Sequence, residues 1–139
     1  MTRVDFYSNV PDKLELARLI TYKAYRLGLR IMLHSNDQQL LSELDKAWWE
    51  VPVAGFMPHC LTTDDHAAHT PIILGIAPDQ QTHSDVLINL GSATPSFFSR
   101  FERLIEIVSH DQVDRDLARQ RWRFYQQRGY TVANHDMHK

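Results

Sequence analysis

Apolar and polar positions alternate in "RVDFYS", with Val4 and Phe6 on one face, and the turn-forming "NVPD" closes the run, so the chain is predicted to open on a β-strand. Pro11 and Asp12 then start a segment in which Leu16, Leu19, Ile20, Lys23, Ala24 and Leu27 recur at helical spacing, and Gly28 stops it. "LRIMLHS" follows as a short, nearly continuous apolar run, the signature of a buried strand. Strand, helix and strand in immediate succession have the spacing of a crossover between parallel strands.

The alternation continues. Ser35 or Asn36 can cap a second helix whose apolar stripe is Leu40, Leu41, Leu44, Ala47 and Trp48, and Pro52 ends it. "VAGFMPHCLTTDDHAAHTP" is the least regular stretch of the chain. Residues 72–77 and 85–90 are short, apolar and rich in β-branched side chains, which predicts two more buried strands. Pro95 can begin a helix through Phe97, Phe98 and Phe101, residues 104–109 read as another strand with a helix as the alternative, and "YTVANHD" closes the chain. The expected fold is an α/β single domain, an open and mostly parallel sheet with helices on both faces.

"DRDLARQRWRFYQQRG", residues 114–129, raises a different question. At 100° per residue, Val113, Leu117 and Phe124 group on one side, while Arg115, Arg119, Trp122, Arg123 and Gln126 group on the other. The spacing therefore turns Trp122 to solvent among guanidinium groups. Arg128 and Gly129 supply a cation on the last turn and a glycine for a left-handed cap. Five of the chain's eleven arginines fall between Arg115 and Arg128, although the protein carries a formal charge of −2. Either the arginines only solvate the outer face of the helix while the tryptophan overhangs a neighbouring element, or the patch binds a ligand: it suits an acidic peptide with an apolar side chain, and equally single-stranded nucleic acid, with phosphates on arginine and a base on the indole.

Bulk properties narrow the field. A chain of 139 residues with 43% hydrophobic composition has the size of one compact domain, 1–139, able to bury a core. Its charge argues against binding duplex nucleic acid through field alone. One cysteine, Cys60, cannot form an internal disulfide, and the start of the chain lacks the apolar core of a signal peptide, so a cytoplasmic location is expected.

Chemistry finds little support. Proteins with this alternation often hold nucleotides on a glycine-rich turn after the first strand, but "SNVPDK" has no glycine, and the five glycines never form a GxGxxG or GxxxxGK[ST] pattern. His59, Cys60, Asp64, Asp65, His66 and His69 offer metal-ligand chemistry without matching a zinc motif, leaving a metal-dependent hydrolase as a distant alternative. No serine sits in a GxSxG elbow. Catalytic residues, metal and cofactor are therefore expected to be absent. "WWEVPVAGFMPH" instead gathers Trp48, Trp49, Phe56 and Met57 around two prolines: either all four belong to the core, or one tryptophan does and Phe56 and Met57 form an exposed apolar knob of the kind that marks a protein partner.

"KAWWEVPVAGFMPHCL", "SDVLINL" and "LARQRWRFYQQRGY", in this order, resemble the chi subunit family of bacterial DNA polymerase III. The resemblance spans nearly the whole chain and is weakest over 60–84. It implies a non-catalytic accessory protein of the clamp-loader complex, with an α/β fold reminiscent of nucleotide-binding domains but without their phosphate loop. It also implies a site for the acidic C-terminal tail of single-stranded-DNA-binding protein, usually Asp-Asp-Ile-Pro-Phe, on Arg115, Arg119, Trp122 and Arg123. A separate surface for the psi subunit would include Trp49, Phe56, Met57 and Pro58. The aromatic in the basic helix is usually tyrosine in the family, so Trp122 is a departure.

Overall fold

The computed structural model describes residues 2–49, 58–65, 67–77 and 83–137. Seven strands form one sheet in which every pairing is parallel: β1 (Arg3–Val10), β2 (Ile31–His34), β3 (His59–Leu61), β4 (Ile72–Gly75), β5 (Val86–Asn89), β6 (Arg103–Ser109) and β7 (Thr131–Asp136). Their order across the sheet is β3-β4-β2-β5-β6-β1-β7. Helices α1 (Lys13–Arg26), α2 (Gln38–Trp49) and α3 (Gln112–Gln127) make the long crossovers. The α/β class and the helices on both faces are as expected, and the sheet is wholly parallel.

Handedness explains the layering. The connections through α1 and α2 carry the chain toward the β3 edge, whereas those after β5 and β6 carry it back toward the β7 edge. Right-handed crossovers moving in opposite directions must lie on opposite faces of the sheet. Accordingly Ala17, Ala24, Leu41, Leu44 and Trp48 pack with Ile31, Leu33, Ile72, Leu74 and Ile105 on one face. On the other, Ala118 and Tyr125 of α3 pack with Phe6, Met32, Leu87 and Leu104, joined by Phe98 and Phe101.

Several local expectations change. The α1 line nearest the sheet is Ala17, Thr21 and Ala24, small residues that bring helix and sheet close, while Leu19 is 49% and Leu27 74% exposed. Asp37 caps α2 by accepting from the amides of Gln39 and Leu40, and Ser35 accepts from the Asp37 amide instead of capping the helix itself. The Phe97–Phe101 segment forms only a 3₁₀ turn, Phe98–Arg100. His59–Leu61, inside the stretch read as irregular, is strand β3, which pairs with β4.

Helix α3 differs most. Its buried residues are Ala118, Arg121 and Tyr125, whereas Val113 is 66% exposed and Leu117 and Phe124 are half-buried. A buried arginine, invisible to a hydrophobicity count, sets the helix phase. Its C-terminus is as predicted, with Gly129 at φ 82° after Arg128, the left-handed conformation that a glycine adopts without strain.

Candidate functional site

Beneath α3 lies a cluster of polar residues that fixes how the helix is rotated. The Glu106 carboxylate, fully buried on β6, accepts from Nδ2 of Asn89 at 3.1 Å, from Nε of Arg121 at 3.1 Å and from the Tyr125 hydroxyl at 2.6 Å. Nη1 of Arg121 donates to the Ser92 carbonyl at 2.7 Å. Burial pushes the Glu106 carboxyl up from its ordinary range, opposed by the Arg121 charge and by the bonds from Tyr125, Asn89 and Arg121. Burial and the neighbouring carboxylate push the Tyr125 hydroxyl up as well, so it stays a donor. Because these four side chains come from three elements, β5, β6 and α3, turning α3 about its axis would strand a buried charge.

That phase decides what the helix shows at the β7 edge. A cavity of about 280 Å³ opens between α3 and the outer strands, walled on the helix side by Arg115, Ala118, Arg119 and Trp122. The sheet supplies Phe6 and Ser8 from β1 and Asn134 and Asp136 from β7, which pair in register as Phe6 with Asn134 and Ser8 with Asp136. Asn9 and Val108 complete it. Since α3 runs between two parallel strands, it is antiparallel to them. Its first turns, with Arg115 and Arg119, therefore stand over the strand C-termini, and Trp122 stands back at the level of Phe6.

The two ends are chemically distinct. At the inner end the Trp122 and Phe6 rings meet with centroids 5.1 Å apart at 58°, an apolar floor continued by Ala118 and Val108. Trp122 is thus half-buried on Phe6 and not turned wholly to solvent as its helical position suggested; it both packs against the core and lines the cavity. At the outer end are Arg115 and Arg119, the latter 3.3 Å from Asp116 in an exposed pair. Arg123 is exposed on α3 but does not line the cavity.

The sheet half was not legible beforehand. β1 carries one residue more than β6 between Tyr7 and Val10, a bulge that places Asn9 at φ 56°. Asparagine tolerates this left-handed conformation better than other non-glycine residues. From there Nδ2 of Asn9 donates to Oδ1 of Asp136 at 2.9 Å, while the Met137 amide donates to the Ser8 carbonyl at 2.9 Å. "SNVPD" carried a turn signal, but nothing in the sequence paired it with Asp136.

Other nominated residues lie far from this cavity. Trp49 ends α2, and Pro58, half-buried, leads into β3 at the opposite edge of the sheet from β7. Phe56 and Met57 fall outside the described residues. His59 is buried against the Trp48 edge and its Nε2 lies 2.9 Å from the Asp45 carbonyl, so its ring serves the core. Burial pushes the Cys60 thiol up, away from a reactive thiolate. Among the described residues, no three histidine, cysteine, aspartate or glutamate side chains converge as a metal site, and no helix is long and apolar enough to cross a membrane.

Residues 1–133 match the family model described as DNA polymerase III chi subunit, HolC. A protein of Pseudomonas aeruginosa named DNA polymerase III subunit chi is 37% identical over 97% of this chain and 96% of its own length. The Escherichia coli and Haemophilus influenzae proteins of the same name are 27% and 24% identical, over 94% and 88% of this chain and 88% and 86% of their own lengths. The match covers β1 through α3 and the start of β7, and the chain belongs to the DNA polymerase III chi subunit family of replication subunits.

Proposed function

We propose that the protein is a non-catalytic adaptor of the clamp-loader complex that holds the acidic C-terminal tail of single-stranded-DNA-binding protein in the α3–β1–β7 cavity. The observation that carries this reading is the cavity's polarity: arginines at the mouth and an aromatic floor inside match a ligand with carboxylates at one end and an apolar side chain at the other. Arg115, Arg119 and Trp122 are the contact residues, and Arg123 contributes positive field from the neighbouring helix surface.

A second surface, for the psi subunit, is proposed on Trp49, Phe56, Met57 and Pro58. What supports it is position. Trp49 and Pro58 belong to the β3 side of the sheet, and the cavity belongs to the β7 side, so one chain can engage two partners without competition. The family name supports accessory assembly with the polymerase.

The test uses purified single-stranded-DNA-binding protein, intact and without its acidic tail, titrated against this chain. Micromolar or tighter binding to the intact protein, abolished by removing the tail, is the expected result. Equal binding to both forms would move the interface elsewhere, and tight binding of a bare oligonucleotide at physiological salt would favour direct nucleic-acid recognition.

A further inference from the structure

We propose that Asp136, held in place by Asn9, is a specificity-determining residue that makes this cavity accept a peptide and reject a nucleic-acid backbone; the inference rests on the peptide-binding reading above. The two walls at the outer end carry opposite chemistry. The α3 wall, Arg115 and Arg119, offers only donors and positive charge. Facing it, the sheet wall carries the Asp136 carboxylate, anchored by the 2.9 Å bond from Asn9 Nδ2.

That bond depends on an unusual backbone. The extra residue in β1 and the positive φ of Asn9 bring its amide across the end of the strand to Asp136. Bulges of this kind re-aim side chains beside functional sites. The carboxylate is thereby fixed in a groove whose other charged groups suit an anion, where it weakens binding of any simple anion.

An occupant must therefore satisfy both walls. A peptide does: side-chain carboxylates turn toward the arginines while backbone N–H groups turn toward the Asp136 carboxylate. A phosphodiester chain has acceptors along its backbone and no donor to offer, so its phosphates meet the Asp136 charge with nothing in return. The sheet wall thus separates two ligand classes that the arginines and tryptophan alone would both admit.

The experiment titrates wild type, Asp136→Asn and Asn9→Gly with two probes, an Asp-Asp-Ile-Pro-Phe peptide and a short oligothymidylate. Asp136→Asn keeps an acceptor for Asn9 and removes the charge; Asn9→Gly keeps the left-handed backbone and removes the anchor. Wild type should bind the peptide at least about a hundredfold more tightly than the oligonucleotide. In Asp136→Asn that ratio should fall about tenfold or more, mainly because the oligonucleotide binds better, and Asn9→Gly should lie between. Thermal melts of both variants, expected close to wild type, check that folding is intact. Peptide binding by wild type with an unchanged ratio in both variants would overturn the role of Asp136 while leaving the peptide site standing. Failure of wild type to bind the peptide would remove both.

Discussion

The Trp122 indole rests on the Phe6 ring, centroids 5.1 Å apart, and this contact joins α3 to β1 across the floor of the cavity. One residue therefore serves two ends, packing and recognition. Trp122→Ala should cost about 1–2 kcal/mol of stability, more than a solvent-facing tryptophan would, and should weaken peptide binding as well. Trp122→Phe should recover most of the stability. A double-mutant cycle with Phe6→Leu should give a coupling of about 0.5–1.5 kcal/mol in denaturant titrations, and additive effects would deny the contact.

The Glu106 cluster should behave as a single buried charge site. Arg121→Met removes the compensating cation from a fully buried carboxylate and should destabilise by about 3–5 kcal/mol. Tyr125→Phe removes one donor and should cost about 1–3 kcal/mol. Pairing Arg121→Met with Glu106→Leu should recover part of the loss, since two apolar side chains leave no stranded charge. Chemical denaturation of the three variants checks the order.

How much of this was readable from sequence follows from what the buried faces contain. Strands announced themselves because Ile31–Leu33, Ile72–Leu74 and Val86–Ile88 are apolar and buried from both sides, where a parallel sheet hides them. Helix faces did not. In α1 the sheet is met by Ala17, Thr21 and Ala24, and in α3 by Ala118, Arg121 and Tyr125, so the large apolar residues mark the flanks of each buried face. Arg115, Arg119 and Trp122 were found as a cluster because they share one helix. Asn9, Asn134 and Asp136 were not, because their meeting depends on β1–β7 pairing across more than a hundred residues.

Acidification should act in two stages. Burial holds His34 and His83 below the ordinary 6.5, each also touching a backbone carbonyl, so below that pH the unfolded chain takes up protons first and stability falls. Asp5 and Asp114 are also depressed: burial would raise them, but bonds from His135 and Arg103 in one case, and from Ser109 and Lys13 in the other, outweigh it. Their contribution is fully present above the unfolded value of 3.8 and is lost as pH falls through the lower folded values. Denaturant midpoints from pH 8 to about pH 3 should show both stages, and a His34→Gln, His83→Gln double variant should flatten the upper one.

Asp116 restrains one of the cavity's cations. Its carboxylate lies 3.3 Å from Arg119 in an exposed pair, of the kind that contributes little to stability. Asp116→Asn should leave the melting temperature nearly unchanged yet strengthen acidic-peptide binding by roughly 1.5- to 5-fold, because Arg119 no longer has to leave a partner. Unchanged peptide affinity would place Arg119 outside the contact.

The most direct test of the peptide cavity is a calorimetric titration of wild type and Arg119→Ala with the Asp-Asp-Ile-Pro-Phe peptide at low and high salt. Arg119 is exposed and must exchange Asp116 for the peptide, so its loss should reduce affinity about tenfold at low salt, with folding unaffected. That difference should shrink as salt rises, since exposed pairs are screened, while the contribution of the Trp122 floor persists. A wild type that ignores the peptide at either salt concentration, or an Arg119→Ala variant that binds it as tightly as wild type at both, would contradict the account.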